Sequence, residues 1–264
     1  MTLPIEPVVD VFDRATDRFA AQLERAPAGA GSRAIPGMEW TVEEAAAHVL
    51  SGLRAYGVMG TGGPSMWQSF DTGPADNAIA IAATPERDLI VIAGEVRTAA
   101  KSLREIFVEH DEGTLVWQTG VLLPTPVFAA IGCGELLLHG HDIAKGLGTA
   151  WPIAPTDAAV LAQGTLEIAP YFVDPERARG VTRTYELRLR QTPHYTLAFN
   201  DGTVTIAASG AAHADCRINA QPLPFVLLAY GRVPMWNPIA KGQMVAWGRK
   251  PWLGLQLPGL LRKP

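Results

Sequence analysis

Cysteine is nearly absent from this chain of 264 residues, which carries only Cys133 and Cys216. Two cysteines so far apart make neither a disulfide framework nor the close pairs of a zinc finger, and both read as reduced packing residues. A basic excess is missing as well. The formal charge is −4 and the isoelectric point near 5.9, which argues against nucleic acid and anionic membrane as partners. No apolar run approaches the roughly 18 residues of a membrane-spanning helix. The N-terminal stretch MTLPIEPVVDVFDRATDRF is acidic and amphipathic and lacks the charged-then-apolar layout of a signal peptide, so a cytoplasmic protein is expected. Charged residues make up 18% against 48% hydrophobic, the composition of a globular protein with a sizeable core. The expected partner is a small-molecule substrate, and the expected assembly a monomer or homodimer.

The first 150 residues read as helices. Over residues 7–26, Val8, Phe12, Ala15, Phe19 and Leu23 recur at three-and-four spacing, one buried stripe of a first helix. A second opens at Thr41 with a T-V-E-E capping box and carries Val42, Ala45, Val49, Leu53 and Tyr56 on its stripe. Thr84-Pro85 predicts the start of a third, ending near His110, and Thr125-Pro126 the start of a fourth, stopped by Gly146 and Gly148. Four helices of this length predict an antiparallel bundle able to build a site from side chains on facing helices. The connection over residues 57–83 is long for an unstructured loop and mixes glycine with aromatics in GTGGPSMWQSF. It reads as a lid or pocket wall, or equally as an insertion with no role.

After Trp151 the pattern changes. A helix over 156–171 is followed by alternation at Tyr185, Leu187 and Leu189, then by YTLAFNDGTVTIAAS with a hairpin turn at Asp201-Gly202. ADCRINA and GQMVAWG read as strands and PLPFVLLAYGR as a helix. The prediction is an α+β chain in two domains: a four-helix bundle over 1–150 and, over 151–264, an α+β domain with a mostly antiparallel sheet.

The stretch GELLLHGHDIAKGLG on the fourth helix puts four polar residues into an apolar segment. At about 100° per residue, Glu135, His139 and Asp142 share a face and His141 points away. Glu135 and His139, one turn apart, can supply two ligands to one metal ion, and a catalytic zinc site wants three with a position left open. Of the remaining histidines, His194 and His213 fall in the second half and His110 in the charged helix end EHDEG. His48 alone lies mid-helix among small residues, so spacing allows a site of His48, Glu135 and His139. It equally allows an ordinary Glu135–His139 pair at a solvated face and a core histidine at His48. Asp142 either orients a ligand or pairs with Lys145.

PGMEWTVEEAAAHV over residues 36–49 and GELLLHGHDIAKGLG together resemble the mycothiol-dependent maleylpyruvate isomerase family, whose first domain is a DinB-like four-helix bundle. DCRINAQPLPFVLLAYGRV and IAKGQMVAWG resemble the sterol-carrier-like domain fused to such bundles. The resemblance implies a divalent metal, typically zinc, on His48, Glu135 and His139, with mycothiol or another low-molecular-weight thiol as cofactor. Arg232 in YGR matches a recurrent position of the second domain, and with Asp142 it is the candidate catalytic residue. IPGMEW stands where that family has a Cys-Pro-Gly-Trp-like stretch, and residues 57–83 match nothing in it.

Three readings follow. The metal activates a thiol for transfer to, or isomerisation of, a small electrophile. It polarises a carbonyl or activates water, giving a hydrolase from the same ligands. Or the chain is a binding protein, its second half holding an apolar ligand in a tunnel lined by Phe225, Leu227, Leu228, Trp247, Trp252 and Leu255. Arg87 and Arg97 on the third helix are candidates for a substrate carboxylate.

Overall fold

The computed structural model describes residues 3–262, which fall into two compact units, the chain passing from one to the other between Pro152 and Ile153. In the first, α1 (Ile5–Glu24), α2 (Val42–Gly60), α4 (Leu89–Glu109) and α5 (Thr125–Leu147) form the bundle, α1 and α2 each packing on α4 and α5. The stripe of α1 is buried as its spacing requires, with Phe12 and Phe19 fully enclosed. Thr41 and Glu44 form the reciprocal capping box that starts α2, Glu44 accepting from the Thr41 amide at 2.8 Å. No helix among the described residues is long and apolar enough to cross a membrane.

The bundle departs from expectation in three places. Thr84-Pro85 does not begin α4. An additional helix, α3 (Gly73–Ala83), occupies much of the long connection and ends at Thr84, whose hydroxyl donates back to Ala80. Arg87 donates to the α3 carbonyl of Ile81 at 3.1 Å, and Asp88 caps α4 by accepting from Ile90 and Val91. Between α4 and α5 lies a hairpin of β1 (Thr114–Val116) and β2 (Leu122–Pro124), strands too short for alternation to register in sequence. Gly146 lies inside α5 instead of stopping it. A side chain there would come within 2.8 Å of Val42 Cγ2, and Gly148, left-handed at φ 69°, makes the stop.

The second unit begins with α6 (Pro155–Ile168) and continues through β3 (Thr182–Leu189), β4 (His194–Asn200), β5 (Thr203–Ala207) and β6 (Cys216–Ala220). Then come α7 (Pro222–Ala229), α8 (Trp236–Ala240), not foreseen from sequence, and β7 (Met244–Trp247). The sheet order is β5-β4-β3-β6-β7, antiparallel except for the parallel pair β3–β6. Asp201 and Gly202 turn the β4–β5 hairpin at positive φ, as an Asp-Gly pair should. One sheet face buries Tyr185, Leu187, Leu189, Tyr195, Leu197, Phe199 and Ile218. Cys133 and Cys216 are both buried and unbridged.

A candidate metal centre in the bundle

Glu135 and His139 stand one turn apart on α5, and α2 carries His48 to the same point. His48 Nε2 lies 3.4 Å from Glu135 Oε2, and His139 Nε2 lies 3.5 Å from the same oxygen. Among the described residues these three form the cluster of His, Cys, Asp or Glu whose ligand atoms all fall within 4.8 Å of one another. Ligand atoms about 2.1 Å from a single ion in tetrahedral array stand about 3.4 Å apart. The two separations to Glu135 match that spacing. Glu135 Oε2 is buried and accepts no hydrogen bond of good geometry, although two imidazole nitrogens face it. Such an arrangement of two neutral nitrogens and one anionic oxygen fits a divalent cation of the zinc type.

The carboxylate is divided between two tasks. Its Oε1 accepts from the Tyr56 hydroxyl at 2.8 Å, which leaves Oε2 turned toward the histidines. Burial opposes the charge on Glu135 most strongly, but His48, His139 and Tyr56 outweigh it and hold the carboxyl at about 2. The carboxyl is thereby favoured in its anionic form, the form a cation would require. Tyr56 was legible as a stripe residue of α2, but nothing in the spacing pointed its hydroxyl at Glu135.

The two histidines are oriented by different means. Asp142, only 1% exposed, places Oδ2 3.5 Å from His139 Nδ1, while its Oδ1 lies 4.0 Å from Lys145 Nζ. Asp142 thus lies near both His139 and Lys145, the two partners that the sequence offered for it. His48 Nδ1 is buried without a hydrogen-bond partner. Its ring is instead flanked by Trp40, with centroids 4.7 Å apart, and Trp40 also lies 5.9 Å from the His139 ring. A side-chain carbon at Gly52, one turn after His48, would meet nothing within 4 Å, so the site keeps open room beside it.

The long connection reaches this cluster through Trp67. Trp67, 4% exposed, stacks near Tyr56 at 5.5 Å and donates its indole N–H to Asn77 of α3 at 3.0 Å. His141 sits half-buried on the other side of α5. Arg97 is engaged with Glu24 at the surface and Arg87 with the end of α3, so neither is gathered into the cluster. Of the five predicted site residues, the structure brings together His48, Glu135, His139 and Asp142. Arg232 belongs to the second unit, where it lines a cavity.

The profile described as Mycothiol maleylpyruvate isomerase N-terminal domain matches residues 12–144. Two crystal structures of mycothiol-dependent maleylpyruvate isomerase, one of a histidine-to-alanine mutant, resemble the chain with TM-scores of 0.56 and 0.58. Each is 16% identical and aligned over 93% of this chain and 95% of its own, which is likeness of fold. A comparison with curated proteins finds no match. With the profile covering half of its length, including His48, Glu135 and His139, the chain belongs to the mycothiol maleylpyruvate isomerase family.

Proposed function

We propose that the chain is an enzyme that holds a divalent metal, zinc for this donor set, on His48, Glu135 and His139, and uses a mycothiol-type thiol to transfer to or isomerise a small electrophile. The observation that carries the proposal is the convergence of three donor atoms at ligand spacing in the family's bundle. A cation bound there would lower a coordinating thiol's pKa from about 8.5 to below neutrality, making thiolate available in the cell. The protein's part is placement. Tyr56 holds one oxygen of Glu135 so that the other faces inward, Asp142 places a carboxylate oxygen 3.5 Å from His139 Nδ1, and Trp40 lies against the His48 ring. The room beside Gly52 leaves space for a thiol or substrate atom. Arg232 enters this proposal by resemblance alone.

Metal analysis of the purified protein tests the reading, with about one equivalent expected. His48→Ala should lose it and with it any thiol-conjugating activity. Absence of metal, together with an unchanged melting temperature and activity in His48→Ala, would overturn the proposal. Assays with and without mycothiol then separate thiol chemistry from hydrolysis, since a hydrolase needs no thiol.

A further inference from the structure

The sheet of the second unit turns Tyr185, Leu187 and Ile218 to the core, so alternation turns Glu186, Arg188 and Arg217 to the opposite face. There the register lines Glu186, Arg217 and Trp247 across β3, β6 and β7, and sets His194 of β4 opposite Arg188. The tunnel read from sequence is thus corrected in its lining: Phe225 and Leu228 face the cavity, whereas Trp247 lies on this other face and Trp252 and Leu255 are exposed.

Glu186 is only 2% exposed, and an ionised carboxylate so buried needs a charged partner. It has more than one. Arg188 donates through Nε to its Oε1 at 2.9 Å and Arg217 through Nε to its Oε2 at 2.8 Å, while His194 Nδ1 stands 3.6 Å from Oε1. A single guanidinium would balance the carboxylate, so the second leaves a positive charge in surplus even with His194 neutral. Among the described residues neither arginine is paired with another carboxylate, and the neighbouring Asp215 is engaged by Arg249 and Lys250.

The surplus is held in place. A guanidinium has five N–H donors, and here only Nε of each arginine is used, so the Nη groups make no hydrogen bond among the described residues. The Trp247 ring flanks both cations, 5.2 Å from Arg188 Cζ and 5.3 Å from Arg217 Cζ, within cation–π range. Both arginine side chains still reach solvent, at 35% and 23% exposure. Two like charges fixed side by side, with free donors on planar forks, are preorganised for a second anion.

We propose that Arg188 and Arg217, anchored by Glu186 and Trp247, bind a phosphate group through their Nη donors, as inorganic phosphate or as the phosphate of a small monoester. The site lies wholly within the second unit and does not depend on the metal centre. Inorganic phosphate and phenyl phosphate, titrated separately into the full-length protein, should shift the Trp247 indole N–H and the arginine Nε–H signals saturably in NMR spectra. Saturation by both assigns the site to the phosphate group itself, and saturation by phenyl phosphate alone restricts the ligand to an ester. Arg188→Lys and Arg217→Lys keep the charge and the pairing with Glu186 but lose the planar fork, and each should weaken binding about tenfold with the melting temperature unchanged. Arg177→Gln, which removes the same charge from a pair with Asp174 outside this cluster, should leave binding as it was. Saturation by neither compound, parental affinity in both lysine variants, or an equal loss in Arg177→Gln would each overturn the proposal.

Discussion

Tyr56 occupies one oxygen of Glu135 and leaves the other as the single donor for the proposed metal site. Groups that orient a metal ligand in this way are typically worth about 10- to 100-fold in affinity. Tyr56→Phe should therefore weaken metal binding about tenfold, read by competition with a chromophoric chelator, with helix content unchanged. An affinity equal to the parent's would mean that helix packing alone aims Glu135. The clustering of the three candidate donors was legible because two of them share one face of α5 and the third is the mid-helix histidine of the bundle. The residues that position them were not. Trp40 reaches His48 and Trp67 reaches Tyr56 from segments without periodicity, and contacts between such segments and a helix leave no spacing to read.

Helix α5 is held at its exit by a close approach. Trp151 lies across Gly140, where a side-chain carbon would come within 2.3 Å of its ring. Alanine normally improves a helix over glycine by about 1 kcal/mol. Here the clash wins, because Trp151 is pinned by its own N–H donating to Leu137 at 2.9 Å and by Arg18, 4.4 Å over the ring. Gly140→Ala should cost about 1–3 kcal/mol in chemical denaturation, and a neutral result would show that Trp151 can move aside. In the sheet, Asp215 precedes β6 and is held down to about 2 by Arg249, the Thr184 amide and Lys250. A depressed carboxyl stabilises above its ordinary value of 3.8 and loses that stabilisation as pH falls toward about 2. With Arg249 mostly exposed, on the order of 1 kcal/mol is expected. Asp215→Asn should thus lower stability at pH 5 to 7, with the difference from the parent vanishing near pH 2. Elements with strong periodicity or caps were readable, as α1, α2 and the Asp201-Gly202 hairpin demonstrate. The start of α4 was misread because Thr84-Pro85 has the chemistry of a cap, while the Asp88 carboxylate, four residues beyond Thr84 and nearer the apolar run, performs it. The parallel pairing of β3 with β6 is a long-range choice that no local pattern encodes.

Two compact units in one chain predict that unfolding is not a single two-state event. A ligand that binds only the folded form stabilises by mass action, about 2.7 kcal/mol at a hundredfold excess over its dissociation constant. Zinc added to chelator-treated protein should raise one calorimetric transition and leave the other in place, and His48→Ala should remove that response. Zinc shifting neither transition would count against the centre on α2 and α5. Finally, the chain of contacts from Asn77 through Trp67 and Tyr56 to Glu135 joins the long connection to a candidate ligand. The long connection is thereby mechanically tied to a carboxylate proposed to hold the ion. Under the proposed function, changes in this connection would alter the hold on an ion with them, so the two would drift together through the same few aromatic contacts.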